Sequence, residues 1–139
     1  MLERLLASAG IAFASIRDYT AYVDAPPKVQ VAGQTYVLKV RVRNNGGTTR
    51  PFCIDFSDDK NSWAIEMPGL YSFNSDAWCA GTLAAGARKT LTAYLIPAKA
   101  GAHKLTITLG RAMVYRTTHR IVIDDDHALY WESQFVIVS

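Results

Sequence analysis

The sequence predicts an all-β fold in which short antiparallel strands form a two-layer sandwich. Three observations support this prediction. Thr, Val, Tyr and Ile are abundant and Glu occurs only three times in 139 residues, a composition that favours strands. Short segments of alternating apolar and polar residues recur at roughly ten-residue intervals, with turn residues between them. We find no internal repeat, so the alternative architecture is a closed barrel rather than a solenoid or propeller.

Length and composition set the size of this fold. A chain of 139 residues that is 50% hydrophobic and 19% charged can bury a core without metals or disulfides, which argues against disorder. We expect one domain over residues 1–139, with an N-terminal extension at 1–10 and an irregular, aromatic-rich insertion at 57–81. Cys53 and Cys79 match no zinc-binding spacing, so they form either one disulfide or none.

The first ten residues predict a short extension that is either a helix or a strand. Leu2, Leu5, Leu6 and Ala9 fall at helical spacing and Gly10 stands where a helix end places glycine, so we favour a helix over a signal peptide. As a signal peptide the segment is poor, because an acidic residue offsets its arginine and polar residues interrupt its apolar stretch. No stretch approaches the roughly 18 consecutive apolar residues that cross a bilayer, so we expect no membrane span.

In the first half of the chain, turn residues separate three predicted strands. The first covers residues 11–23 and ends before Pro26 and Pro27, which cannot continue a ladder. Residues 34–43 alternate most cleanly, and their predicted core face carries Tyr36, Leu38, Val40 and Val42. After a turn at 44–47, the third strand presents Phe52, Ile54 and Phe56.

The second half predicts four more strands. A turn at 83–86 leads to residues 89–96, which end at Pro97. The next strand opens at Gly101, and residues 113–123 and 128–138 are expected to form a final pair joined through 124–127. The core faces of these strands are predicted to carry Leu91, Ala93, Leu95, Leu105, Ile107, Leu109, Leu129, Trp131, Phe135 and Ile137.

Four segments with characteristic turn residues lie at 31–35, 42–46, 83–86 and 97–103, reading VAGQT, VRNNG, LAAG and PAKAGAH. Over about residues 26–110, these segments resemble bacterial and archaeal immunoglobulin-like modules of the CARDB kind. The resemblance implies an immunoglobulin-like β-sandwich that serves in adhesion, spacing or interaction on extracytoplasmic proteins. This chain departs from the pattern in its aromatic insertion and extended final hairpin, which suggests a self-contained assembly or coat component.

The sequence contains little that predicts catalysis. There is no GxSxG, no HExxH and no phosphate-binding loop. His103, His119 and His127 lie in separate contexts without the spacing of a metal site. We therefore expect no enzymatic activity and no cofactor.

Two acidic clusters are candidate calcium ligands. Asp55, Asp58 and Asp59 carry the oxygen atoms that calcium prefers, and residues 124–126 form a second acidic turn. Neither cluster matches the EF-hand pattern, and Asp is a common turn residue, so the simpler interpretation is a solvated turn.

Candidate binding residues come from two places. Lys39, Arg41 and Arg43 form the largest basic cluster in a chain of net charge +3. The interpretations are a solvated strand face, a phosphate-binding track or a partner-binding surface. We expect no nucleic acid, because a dedicated nucleic-acid binder shows clustered basic residues with interleaved aromatics on one face, whereas three residues are the largest basic cluster here. The irregular segment contributes four aromatic residues among Asp, Asn and Ser, namely Trp63, Tyr71, Phe73 and Trp78.

These aromatic residues admit three interpretations. They cover an open end of the sandwich as part of the core, they anchor a protein partner, or they stack on sugar rings. The sequence thus predicts a non-enzymatic protein-interaction or self-association module of a cell-surface or virion assembly, outside the cytoplasm. The alternative is a carbohydrate-binding module that uses Trp63 and Trp78.

Overall fold

Strands make up most of the chain. The computed structural model describes residues 3–6, 19–47, 50–58, 61–74, 77–115, 120–123 and 128–139. The strands within these residues are β1 Glu3–Leu6, β2 Tyr19–Asp24, β3 Val29–Val31, β4 Tyr36–Asn44, β5 Arg50–Asp58, β6 Trp63–Glu66, β7 Tyr71–Asn74, β8 Ala77–Leu83, β9 Arg88–Pro97, β10 Gly101–Tyr115, β11 Arg120–Ile123 and β12 Leu129–Val138.

The strands form two sheets whose inner faces share one core. The smaller sheet has the order β2-β4-β9-β6, and the larger follows β1-β12-β10-β5-β8-β7, with β11 added to β10 and β3 to β12. The described pairings are antiparallel, apart from the parallel ones that β12 makes with β1 and β3. Buried side chains from both sheets form a single cluster. The predicted β-sandwich is therefore confirmed.

The central strands of both sheets show the predicted alternation. Lys39, Arg41 and Arg43 of β4 are exposed, while the residues between them are buried. The predicted core residues that are at most 2% exposed are Leu38, Val40, Val42, Phe52, Ile54, Phe56, Leu91, Ala93, Leu95, Leu105, Ile107, Leu109, Leu129, Trp131, Phe135 and Ile137. Tyr36 is the exception and is only half-buried, because it lies at the start of β4.

Aromatic pairs connect both edges of the small sheet to the large sheet. At the β2 edge, the ring centroids of Tyr19 and Phe52 are 5.8 Å apart. At the β6 edge, the rings of Trp63 and Phe135 are 5.6 Å apart and nearly perpendicular. Tilted and edge-to-face pairs at such distances stabilise beyond simple burial. The two open sides of the sandwich are thus closed by rings.

β10 is longer than predicted, and it changes the pairing of the last strands. Residues 113–123 and 128–138 do not pair with each other; β10 runs on to Tyr115 and pairs with both β11 and β12. Glycine at position 110 leaves room for β11 and the start of β12 beside β10. A Cβ atom there would be crowded, because it would lie 3.0 Å from Ile123 Cγ2 and 3.2 Å from Ala128 Cα. The expected connection at 124–127 lies outside the described residues.

The described part of the N-terminal extension is a strand. β1 pairs in parallel with β12, so that Leu5 is the register partner of Trp131. A short isolated helix is marginal in water, whereas the edge of β12 offers backbone groups that need hydrogen-bond partners. The favoured helix is therefore wrong for residues 3–6, and the alternative of a strand is correct there.

A disulfide joins two neighbouring strands of the large sheet. Cys53 of β5 and Cys79 of β8 are register partners with Cα atoms 4.0 Å apart, and they are bonded to each other. Cys53 is fully buried and Cys79 is 9% exposed. Of the two possibilities that the sequence allowed, the disulfide is the one that the fold realises.

Removing this disulfide is expected to lower the free energy of unfolding by about 3.5 kcal/mol. The estimate is the loop-closure entropy that a cross-link over 26 positions removes from the unfolded chain. Denaturant unfolding of the double variant Cys53→Ala/Cys79→Ala measures it. A reductant should lower the midpoint of the wild type and leave that of the double variant in place; equal stability of the two proteins would contradict the prediction.

Asn44 fastens the end of β4 to the turn between β8 and β9. Its side chain is fully buried; Nδ2 donates to Leu83 O at 2.8 Å, and Oδ1 accepts from Gly46 N at 2.9 Å. Its backbone N–H donates to Ala87 O, and its carbonyl accepts from Gly86 N. The φ of Gly86 is +74°, a conformation that glycine adopts without strain. One amide side chain thus provides hydrogen-bond partners for backbone groups in two turns.

Asn44→Ala is expected to cost about 2 kcal/mol of stability, because it leaves a buried carbonyl and a turn N–H without partners. Asn45→Ala is the matched control: Asn45 is exposed, and its amide donates to the Thr20 hydroxyl in a solvent-exposed hydrogen bond. We expect that control to change stability by less than about 0.5 kcal/mol. Thermal or urea unfolding distinguishes the two, and equal losses would show that Asn44 has no special role.

Candidate functional site

The outer face of the four-stranded sheet gathers basic side chains from two strands. Arg43 of β4 is the register partner of Arg88 of β9, and Arg41 and Lys39 occupy the next two outward positions of β4. All four residues are exposed. Lys39, Arg41, Arg43 and Arg88 are termed the basic cluster below. The structure thus brings together the three sequence-predicted residues and adds a fourth from a distant part of the chain.

An open groove of about 450 Å³ is lined by three members of the basic cluster, Arg41, Arg43 and Arg88. Thr20 and Tyr22 of β2 line one side, and Lys89 and Thr90 of β9 line the other. Tyr22 is 49% exposed, so its ring is accessible from solvent. The groove therefore combines cations, a hydroxyl-bearing wall and one aromatic surface.

The positive charge of the cluster is only partly compensated. Arg41 Nη2 lies 2.6 Å from Asp24 Oδ2, and both side chains are largely exposed, so this ion pair adds little stability. Within the described part of the chain, the side chains of Lys39, Arg43 and Arg88 have no ion-pair or hydrogen-bond partner. Clustered charges of one sign create a local potential that attracts the opposite charge. The surface is accordingly suited to anionic groups.

Beyond Lys39 the same face becomes apolar. Val37 of β4 is the register partner of Tyr94 of β9, and Ile96 occupies the next outward position. Val37 is 43% exposed, and Tyr94 and Ile96 are each 38% exposed. These three residues are termed the apolar patch. A contiguous exposed apolar patch with a charged border is typical of surfaces that bind other proteins.

The segment at 57–81 is more regular than the sequence suggested. It contains β6, β7 and the first part of β8, joined by short connections rather than long loops. Trp63 and Trp78 belong to the core and are 5% and 6% exposed. The expectation that these two indoles offer a binding face is therefore wrong, and the core interpretation applies to them. Tyr71 and Phe73 lie on β7, and their side chains lie outside the described residues.

Trp63 is held by a buried polar contact as well as by packing. Its Nε1–H donates to Gln30 Oε1 at 2.9 Å, and Gln30 Nε2 donates to Pro27 O at 3.2 Å. Gln30 is fully buried on β3. A buried indole N–H needs such an acceptor, so Gln30 links the edge strand β6 to the large sheet.

His103 is also structural. It is 4% exposed, and its Nε2 lies 3.0 Å from Lys99 O, an acceptor, so Nε2 carries the proton and donates. Ser62 Oγ lies 2.9 Å from Nδ1, within hydrogen-bond distance. The edge of the Trp63 indole packs against the imidazole, with centroids 6.1 Å apart. His119 and His127 lie outside the described residues.

Two of the acidic residues proposed as calcium ligands, Asp55 and Asp58, do not converge. Asp55 and Asp58 are separated by three positions on β5, so strand alternation directs them to opposite faces of the sheet. Asp58 Oδ2 accepts a hydrogen bond from Trp63 N at 2.9 Å, which fixes the start of β6. Asp59 lies outside the described residues. Across the described ranges, no group of three His, Cys, Asp or Glu side chains could hold a metal.

Sequence reasoning missed three residues of this surface: Arg88 and Tyr94 on β9 and Tyr22 on β2. The outward positions of β9 alternate with its predicted core residues, so exposure was readable from the sequence. The position of the β9 residues beside β4 could not be read from the sequence, because it depends on the register between strands more than 40 residues apart.

The two packed sheets, the shared core and the β4–β9 centre define a CARDB-like, immunoglobulin-like β-sandwich. Among solved structures, the chain is similar to the CARDB domain of the PF1109 protein from Pyrococcus furiosus in complex with di-metal ions. The TM-score is 0.54 and the identity 16%, over 87% of this chain and 88% of that one. The solution NMR structure of the same domain gives 0.54 and 17%, over 87% and 94%.

A second similar structure is the FixG-related protein from Vibrio parahaemolyticus. It matches with a TM-score of 0.53 and 9% identity, over 89% of this chain and 100% of that one. No family profile matches the chain, and a comparison with curated protein sequences finds no match. At these identities the similarity shows the fold alone. Within the described residues, no helix has the length and hydrophobicity needed to cross a bilayer.

Proposed function

We propose that this chain is a non-enzymatic interaction module that binds a protein partner through the outer face of its four-stranded sheet. The observation that carries the proposal is the continuity of the basic cluster with the apolar patch on one exposed face. Protein interfaces combine an apolar centre with a charged rim. A partner that covers this face would meet both.

The surface chemistry favours protein over the other ligand classes. The two rings that the carbohydrate alternative relied on, Trp63 and Trp78, are buried. A nucleic-acid surface would carry cations along most of its length, whereas here Val37, Tyr94 and Ile96 occupy the other end of the face. A folded partner with acidic and apolar side chains matches both ends.

Among the described residues, the cysteines and His103 are the side chains most suited to catalysis, and they have structural roles. Cys53 and Cys79 are bonded to each other, and both ring nitrogens of His103 are engaged in buried hydrogen bonds. A general base must reach a substrate proton. The His103 imidazole is buried and both of its nitrogens are hydrogen-bonded within the protein, so it cannot reach one. These observations support a binding role rather than an enzymatic one.

The disulfide supports a location outside the cytoplasm. Disulfides persist in oxidising compartments and are rare where thiols are kept reduced. A cell-surface or virion assembly is therefore the setting that we propose. The module would contribute one face to that assembly while its core stays independent of the partner.

Site-specific photo-crosslinking tests the proposal. p-Benzoylphenylalanine in place of Tyr94 should yield a covalent adduct with a second protein in the cells or particles that contain this chain, because Tyr94 lies in the apolar patch. The matched control carries the same group in place of Val136, which is 46% exposed but lies on the large sheet. Mass spectrometry of the adducts identifies the partner.

We expect adducts from position 94 and few from position 136. Equal yields from both positions, or none from position 94, would contradict the proposal that this face is the interface. An adduct between two copies of the chain would place the module in a self-assembling structure, which is one form of the proposed function.

A further inference from the structure

Two arginines face each other across β4 and β9, and no described residue serves as their counterion. Arg43 and Arg88 are register partners on the outer face, and directly opposite residues in antiparallel strands have Cβ atoms about 5 Å apart. Like charges at such positions destabilise a sheet. Within the described residues, neither side chain has a hydrogen bond or an ion pair. An anion between the two guanidinium groups would remove this repulsion.

The geometry of the pair suits a carboxylate. A guanidinium group presents its N–H donors in a planar fork that matches the two oxygens of a carboxylate. Thr90, which lines the same groove, carries a hydroxyl that can donate to a remaining lone pair. The groove is open, so the carboxylate can belong to a larger molecule.

The spacing of the cations points to an extended ligand. Lys39, Arg41 and Arg43 occupy alternate positions of one strand, about 6.8 Å apart. Side chains on one face of an extended peptide have the same spacing. A segment lying along β4 would therefore place acidic residues at alternate positions against the cations. Its next residue on that face would reach Val37 in the apolar patch.

We propose that the basic cluster binds an extended acidic segment of a protein partner, with one carboxylate held between Arg43 and Arg88. The inference rests on the proposed function and adds the chemistry of the partner: acidic residues at alternate positions, followed on the same face by an apolar residue. The apolar patch favours a peptide over a sulfated polysaccharide, which has no aliphatic or aromatic side chains to cover Val37 and Tyr94.

Peptide binding tests this inference. The probe is a fluorescent peptide with Glu at three alternate positions, Thr between them and Leu at the next same-face position. A peptide of the same composition with three contiguous Glu residues is its control. Anisotropy titrations at low salt compare the wild type with Arg43→Gln and Arg88→Gln. Lys99→Gln, which removes an exposed cation from the β9–β10 connection, is the matched protein control.

We expect the alternating peptide to bind more tightly than the contiguous one. Arg43→Gln and Arg88→Gln should each weaken its binding by about tenfold, the effect of losing a charge-assisted hydrogen bond, and Lys99→Gln by less than about twofold. Both arginine variants should melt at or above the wild-type midpoint, because each relieves the like-charge contact. A loss of stability in either variant would instead assign these arginines a structural role and overturn the proposal.

Other results would also overturn it. Equal binding of the two peptides, or equal losses in all three variants, would indicate only non-specific attraction to a cationic protein. Dextran sulfate binding that depends on Arg43 and Arg88, without peptide binding, would assign the cluster to a polysaccharide. Dimerisation of the protein alone, abolished by Arg88→Gln in sedimentation, would assign it to a second copy. Crosslinking from position 94 without peptide binding would leave the proposed function intact and remove only this inference.

Discussion

Val40→Asp is expected to leave the native state marginal or unfolded at ambient temperature. Val40 is fully buried at the centre of β4, where it is the register partner of Val23 on one side and Leu91 on the other. A carboxylate there would be buried without a partner, which costs about 4 kcal/mol or more. Since domains are stable by only about 5–15 kcal/mol, this substitution removes much of the total. Circular dichroism and thermal unfolding measure the effect.

Val37→Asp is the matched control, because it introduces the same side chain on the same strand. Val37 is 43% exposed on the opposite face, so its carboxylate would remain hydrated. We expect a change below about 0.5 kcal/mol. Equal thermal midpoints for the two variants would show that the inward and outward faces of β4 are assigned wrongly.

Trp63→Ala is the second large effect, with an expected loss of about 3–5 kcal/mol. The substitution removes the ring that packs against Phe135 and His103 and leaves the buried Oε1 atom of Gln30 without its donor. Urea unfolding followed by far-ultraviolet circular dichroism measures the loss. Tyr94→Ala, which removes a half-exposed ring from the neighbouring strand β9, should cost much less.

A double-mutant cycle separates the two contributions of Trp63. Gln30→Leu leaves the indole N–H unpaired and should cost about 1–3 kcal/mol in the wild type. In the Trp63→Ala background it should cost less, because no indole N–H remains to be satisfied. Additive losses would show that the Trp63–Gln30 hydrogen bond does not contribute.

The separation of core and surface on β4 links stability to the proposed function. Its inward residues hold the sandwich together, while its outward residues change from apolar to basic along the strand. Substitutions on the outward face can therefore alter partner binding while the fold is retained. The opposed pair Arg43 and Arg88 is a local cost in stability, which is common where a surface is shaped for a ligand.

The candidate site was only partly predictable. Lys39, Arg41 and Arg43 were visible as a basic face because they alternate with apolar residues on one strand. Trp63 and Trp78 were misplaced as a possible binding face, because polar neighbours in the sequence suggested exposure. Their burial depends on the packing of β6 and β8 against residues far away in the chain, which local composition does not report.

The sequence by itself determined the fold class, the strands with clear alternation and the faces they bury, because side-chain direction in a strand follows from position parity alone. Only the tertiary structure decided the register that sets Arg88 opposite Arg43, the closure of the sandwich by Trp63, the passage of β10 beyond Gly110 and the choice of a strand for residues 3–6. Each of these depends on contacts between segments distant in sequence, where shape and hydrogen-bond demand select among alternatives that local propensity leaves nearly equal in energy.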